Sequence, residues 1–134
     1  MEKIVEFMKE KDKIRSLFDI EIVKAEKGNV ITKMLVKENM LNAANVCHGG
    51  AIFSLADFTF ALISNLYGNV ALAINANINF VNPAYLGDEL VATAEEISRS
   101  NKIGLYKITI KKEKGNKLIA FFNGEVYIKK EKLF

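Results

Sequence analysis

A chain of 134 residues, half of them hydrophobic and 26% charged, supplies one hydrophobic core and too little for two ordinary domains. A formal charge of +3, with lysines dispersed among glutamates and no basic recognition helix or aromatic interleaving, gives no reason to expect a nucleic-acid partner. The single cysteine, Cys47, excludes an internal disulfide and fits a reducing, cytoplasmic compartment; with one adjacent histidine it falls short of a metal-ligand set, so neither metal nor other cofactor is expected.

The N-terminal segment alternates charged with apolar side chains and lacks the uninterrupted apolar core of a secretory signal. Ile4, Val5, Phe7, Met8, Ile14, Leu17 and Phe18 form an imperfect stripe of helical period, which predicts an amphipathic helix near residues 3–17 capping one end of the domain. Strands are expected at about 19–26 and 29–37, joined at Gly28-Asn29, a pair suited to the positive φ values of a tight hairpin. A central helix is predicted over about 49–67, stopping at Gly68-Asn69. Its apolar run is no membrane span, because Ser54, Asp57, Thr59 and Ser64 interrupt it and Asp57 would set a carboxylate at its centre. Beyond it the chain reads as strands at Val70–Val81, Glu89–Ser98, Ile103–Glu113 and Lys117–Lys129, with turns near Pro83–Asp88, Ser98–Lys102 and Lys114–Asn116. The lysines of the last third, Lys111, Lys112, Lys114, Lys117, Lys129, Lys130 and Lys132, suit solvated faces and blunted strand edges, or the phosphates of a ligand. The organisation is α+β in one domain over residues 1–134: an N-terminal helix within 1–18, then a core over 19–129 in which one long helix is inserted in an antiparallel sheet.

The chemistry concentrates at that helix. His48-Gly49-Gly50 opens it and Asp57 is its only acid. A helix start binds developing negative charge, and a carboxylate in an apolar setting does acid–base chemistry or attacks carbonyls. Gly50, Ser54, Asp57, Ala61 and Ser64 recur in helical steps as a stripe of small or polar residues, which lets another surface come close. The same stripe fits tight helix-on-sheet packing, in which case a buried Asp57 requires a polar neighbour. Gly49 and Asp57 are eight residues apart, which is about 12 Å along a helix, so one helix cannot bring both to one carbonyl. If both act, two helices from two subunits must run antiparallel, and catalysis requires a homodimer with two equivalent sites.

Met40-Leu41-Asn42, followed by Cys47-His48-Gly49-Gly50 and Phe53-Ser54-Leu55-Ala56-Asp57, closely resembles the hotdog-fold thioesterases of the phenylacetic acid degradation (PaaI-like) type. Asn77-Ile78-Asn79-Phe80-Val81-Asn82-Pro83-Ala84 with Leu86-Gly87-Asp88 is similar to that family's strand and turn after the helix, and the likeness covers about residues 20–128. The resemblance implies a long central helix wrapped by a curved antiparallel sheet, two protomers sharing one continuous sheet, and dimers associating into a homotetramer. It implies hydrolysis of an acyl-CoA thioester to a free acid and CoA, with no cofactor beyond the CoA of the substrate. By motif position Asp57 is the catalytic carboxylate, as general base on water or as nucleophile toward the thioester carbon, and Gly49 offers its N–H to the oxyanion. Asn42 matches an Asn or Gln that orients water or the acyl carbonyl.

His48 is implied to be mainly a structural member of the helix start, with general acid–base work as the alternative, and Cys47 a packed side chain. Ser98, Arg99, Ser100, Asn101 and Lys102 align with a segment that contacts CoA, where hydroxyls, an amide and cations suit phosphate or pantetheine. His48, Gly50, Ser54, Asn82 and Pro83 complete the expected substrate contacts, the acyl pocket being lined from the helix and the strand after it. Ala61 and Ala73 stand where certain members of the wider superfamily carry a hydroxyl, which leaves the acyl preference open. Two alternatives remain: a noncatalytic acyl-CoA-binding or sensing protein on the same fold, and a dehydratase or hydratase. The joint presence of Asp57, Gly49 and Asn42 disfavours the first, and the lack of a His-Asp or His-Glu pair disfavours the second.

Overall fold

The N-terminal apolar stripe builds two helices instead of the one expected. In the computed structural model, which describes residues Met1–Phe134, α1 (Glu2–Lys11) and α2 (Lys13–Leu17) are separated by Asp12 in an extended conformation. The Asp12 carboxylate accepts the Arg15 N–H at 3.0 Å, because a short acidic side chain satisfies the open N–H groups of a helix start better than it serves a helix interior. Arg15 pins the break by donating from Nε to Lys9 O (2.8 Å) and from its guanidinium to Ile20 O (3.2 Å). Ile4 and Met8 of α1 are buried, whereas Ile14 and Leu17 of α2 remain exposed, so the period read across both helices serves the core only in the first.

The strands are β1 (Glu21–Glu26), β2 (Asn29–Leu35), β3 (Asn69–Phe80), β4 (Glu89–Arg99), β5 (Ile103–Lys112) and β6 (Leu118–Lys132). They form one antiparallel sheet in the order β1-β2-β4-β5-β6-β3. Register shifts at Ile22/Lys24, Glu96/Ser98 and Ala73/Asn75 are bulges, and such bulges bend a sheet around what it covers. What it covers is α3 (Gly49–Asn65), slightly shorter than expected. Alternate residues of the strands face it, among them Leu90, Ala92 and Ala94 of β4, Tyr106, Ile108 and Ile110 of β5, and Phe122, Val126 and Ile128 of β6, all buried. Phe60 of α3 lies between Tyr106 and Phe122, with ring centroids at 6.0 and 5.3 Å. A Cβ on Gly124 would come within 2.5 Å of the Phe60 ring, which is why β6 carries glycine there.

Polar clips fix α3 in this cradle. The Thr59 hydroxyl donates to Leu55 O (2.7 Å) and so accepts from the buried Thr32 hydroxyl of β2 (2.8 Å). At the other end Asn65 donates to Ala61 O (2.8 Å) and accepts the Ala71 N–H (2.9 Å), tying the last helical turn to the start of β3. The chain reverses between them through Gly68 at φ +93°, a conformation that favours glycine.

The two sheet edges differ. Edge strand β1 carries Glu21, Lys24 and Glu26, which discourage further pairing. Edge strand β3 is twelve residues long with no charged residue and no proline, and its Leu72 and Ile74 are each more than half exposed. A long bare edge of this kind is a template for another strand. No helix is long and apolar enough to cross a membrane.

Candidate active site

The start of α3 is a tightly closed loop with one N–H left over. His48 is the N-cap: its Nδ1 accepts the Gly50 N–H at 2.9 Å, and its carbonyl accepts from Ala51 (3.0 Å) and Ile52 (3.2 Å). The Gly49 N–H alone in this first turn has no protein acceptor, and it sits at the positive end of the helix. The Gly50 N–H, expected to meet substrate, is already used by His48. With Nδ1 accepting, the His48 proton resides on Nε2, the tautomer of a structural cap.

The preceding loop is held by His48 N–H to Met40 O (2.7 Å), Cys47 N–H to Ala84 O (2.8 Å) and a bridge between Leu41 and Cys47. Asn42 closes it from within, its Oδ1 accepting from Ala44 (2.9 Å) and Val46 (3.3 Å). Only the Asn42 Nδ2 group remains for a ligand, which narrows the expected role to donation. Burial, then the nearby Asp88 charge, pushes the Cys47 thiol up to about 11, so Cys47 is a packed side chain with little thiolate.

Asp57 stands on the open line of α3. Gly50, Ser54, Asp57 and Ala61 are its unburied residues at helical spacing, while Ile52, Leu55, Phe58, Thr59, Leu62 and Ile63 are buried. The small-residue stripe is therefore not packed on this chain's own sheet. Ser64 is its one buried member, and Ser54 returns its hydroxyl to Gly50 O (2.8 Å). Asp57 is exposed and its carboxylate has no hydrogen-bond partner, so the alternative of a packed Asp57 held by a polar neighbour is not the one this chain adopts. Although the residue as a whole is exposed, the surrounding protein partly screens its carboxyl from water. That burial, and secondarily the negative charge of Asp12, raise it above the ordinary carboxylate value. Since Gly49 and Asp57 lie on one continuous helix, their separation of about 12 Å holds.

Beside Gly49 runs a cleft of about 300 Å³ lined by Val46, Cys47, Gly49, Ile52, Phe80, Val81, Asn82 and Pro83. Asn82 and Pro83 thus join Gly49 as the sequence suggested, although the Asn82 side-chain amide is committed to Leu118 O at 2.8 Å. Phe80 was not singled out among the site residues; the signal was an aromatic at the end of the strand that follows the helix.

The segment expected to hold CoA divides. Arg99 belongs to β4 and turns inward, donating to the Tyr106 hydroxyl (2.7 Å) and to Ser64 O near the helix end (3.1 Å), with its guanidinium 3.9 Å from the centroid of the Tyr67 ring. Glu96 completes this network by accepting from Tyr67 (3.0 Å) and Tyr106 (2.9 Å). Arg99 is thereby engaged within the chain, a placement favoured by the negative end of α3. Ser98 is exposed on β4, and Ser100 closes the turn against Ile103. Asn101 and Lys102 do line an open cleft of about 580 Å³, together with Asn69, Tyr127, Ile128, Lys129 and Lys130. This cationic cleft lies at the Asn69 end of β3 and the Gly49 cleft at the Phe80 end, about 35 Å away along the strand. No group of three or more His, Cys, Asp or Glu side chains comes together anywhere in the chain.

The geometry has counterparts among known proteins. Residues 44–119 match the thioesterase superfamily. A putative esterase of Archaeoglobus fulgidus is 46% identical over 95% of this chain and 82% of its own length. The acyl-coenzyme A thioesterase PaaI of Escherichia coli is 36% identical over 88% of this chain and 84% of its own. The E. coli PaaI structure superposes with a TM-score of 0.93, covering 97% of this chain and 94% of that one. The smu.793 protein of Streptococcus mutans, solved bound to acetyl CoA, is 25% identical with a TM-score of 0.80, covering 84% of this chain and 90% of that one. A helix wrapped by a curved antiparallel sheet, the family match over residues 44–119 and these counterparts over most of the chain lead to one conclusion: the chain belongs to the thioesterase superfamily as a PaaI-like, hotdog-fold thioester hydrolase.

Proposed function

We propose that this protein hydrolyses an acyl-CoA thioester to a free carboxylic acid and CoA, in a homodimer whose sites each combine Gly49 of one protomer with Asp57 of the other. The observation that carries this reading is the pairing of two unsatisfied groups on one helix: a Gly49 N–H without acceptor and an Asp57 carboxylate without donor, too far apart to serve one carbonyl. The bare β3 edge supports the dimer, because antiparallel pairing of two copies would make one continuous sheet and leave no open edge between them.

The thioester oxygen accepts the Gly49 N–H. Asp57 of the opposite protomer takes a proton from water as that water attacks the carbonyl carbon, or attacks the carbon itself to give a mixed anhydride that water then cleaves. Negative charge collecting on the oxygen is met by the N–H and the helix dipole. Collapse expels the CoA sulfur, which takes up a proton. The raised Asp57 carboxyl makes a stronger base than an ordinary aspartate. Asn42 Nδ2 is the remaining donor for water or carbonyl, and the proposed route calls on no metal or redox cofactor.

Antiparallel β3 pairing would also bring the partner's cationic cleft beside this chain's Gly49 cleft, so that Asn101, Lys102, Lys129 and Lys130 of one protomer hold CoA phosphates for a thioester anchored on the other. Association of two dimers into a tetramer and a cytoplasmic site of action complete the reading. A panel of acyl-CoAs with detection of released thiol, run on wild type and Asp57→Ala, tests it. Hydrolysis lost in the variant supports the mechanism, and hydrolysis that survives refutes the assigned role. Tight binding of an acyl-CoA without thiol release would favour a sensor.

A further inference from the structure

We propose that Phe80 selects the acyl group, its ring forming the wall on which an uncharged, apolar acyl chain lies while the thioester oxygen is held at Gly49. This inference rests on the thioester reading above. A Cβ built on Gly49 would lie 3.2 Å from Phe80 Cζ and 3.4 Å from Cε1, so the ring borders the residue that carries the free N–H. Phe80 pairs with Ala120, a buried residue of the helix-facing side of β6, and therefore its ring projects on the α3 side of the sheet, yet it is 54% exposed. An aromatic ring left open on that side, next to an unused donor, is a contact surface awaiting an apolar group.

The rest of the cleft agrees in chemistry and in stiffness. Five of its eight lining residues are hydrophobic and none is charged. Its far wall is fastened by the Val81 and Asn82 N–H groups to Ile119 O (2.8 and 3.2 Å) and by the Asn82 side chain to Leu118 O (2.8 Å). An apolar cavity of about 150 Å³ accepts a benzene ring, so a cleft of about 300 Å³ has room for an aryl or medium-length acyl group. An acyl group ending in a carboxylate would lose its hydration there with no cation among the lining residues to compensate, the partner's lysines beside the cleft being engaged by the CoA phosphates. The order of preference is therefore hexanoyl or benzoyl above acetyl, and acetyl above succinyl.

The test measures kcat/KM for hexanoyl-, benzoyl-, acetyl- and succinyl-CoA on wild type, Phe80→Ala and Phe80→Leu. Ratios between substrates on one preparation do not depend on the fraction folded. Loss of the ring should lower the hexanoyl-to-acetyl ratio by about tenfold, while Phe80→Leu, which keeps an apolar wall, should retain most of it. An unchanged ratio in Phe80→Ala, or a wild type that prefers succinyl-CoA, overturns the role of Phe80 while leaving the thioesterase intact. A wild type that releases thiol from none of the four overturns the thioesterase reading and the selection together.

Discussion

Replacing Gly49 with proline deletes one hydrogen-bond donor with little else. Gly49 is the first residue of α3, where proline is favoured because its ring presets a helical φ and the missing N–H has no helical acceptor. The residue before a proline must be extended, and His48 already is, at φ −60° and ψ 137°. The new Cβ would meet the Phe80 ring at 3.2 Å, a contact relieved by a shift of a few tenths of an ångström in a ring that is 54% exposed. Gly49→Ala makes the same intrusion and keeps the N–H, so the pair isolates the donor. Removal of one oxyanion donor costs a factor of about 10²–10³ in kcat, or about 3–4 kcal/mol. Gly49→Pro should lose activity on that scale with KM little changed, whereas Gly49→Ala should stay within about tenfold of wild type. Thiol release under saturating acyl-CoA measures both, with circular dichroism and light scattering verifying the fold and assembly. A Gly49→Pro variant as active as Gly49→Ala would refute the assignment of the oxyanion to this N–H.

Other outcomes follow from the same geometry. Asp57 must be ionised to act and its carboxyl is raised, so kcat/KM should climb with pH through a midpoint above that of an ordinary aspartate. Asp12→Asn keeps a capping side chain for α2 but removes the charge that opposes Asp57 ionisation, and a pH profile should show the acidic limb moved to lower pH; an unmoved limb would contradict that influence. Gly124→Ala drives a methyl into the Phe60 ring and should destabilise the fold by about 1–3 kcal/mol, read by urea denaturation. Arg99→Gln should cost about 1.5–3 kcal/mol of stability and leave KM for acyl-CoA nearly unchanged, while Lys102→Ala should raise KM and weaken its dependence on salt without loss of stability.

What period and backbone preference made legible was local, while the wrapped architecture came from the resemblance of the motifs and holds. The alternation of β4 to β6 and the glycine ends of α3 follow from side-chain period and backbone preference, and they emerged within a few residues of expectation. The break at Asp12 was hidden because apolar spacing continues across it, while capping, which ended α1, depends on a single carboxylate and Arg15. Asp57 looked buried because its neighbours in sequence are apolar. The small-residue stripe marked the line on which another surface comes close, but the curvature of the sheet decides whether this chain's own strands cover that line. The internal contacts of Arg99 were out of reach for a related reason: a turn supplies residue types, but the bulge between Glu96 and Ser98 determines which of them turn inward. The cationic cleft draws on Asn69, the 101–102 turn and β6, three segments that only sheet order brings together.

The account stands most directly on the sharing of each site between two subunits, and complementation measures that. Asp57→Ala and Gly49→Pro protomers, each inactive as homodimers, are mixed in equal amounts, dissociated and reassociated. Half of the dimers formed are then mixed, and each mixed dimer holds one site with an intact Gly49 opposite an intact Asp57. Recovery of about a quarter of wild-type thiol release is the predicted result. No recovery from a mixture shown by mass spectrometry to contain the mixed dimer would contradict it, because sites confined to single chains can never be restored by exchange.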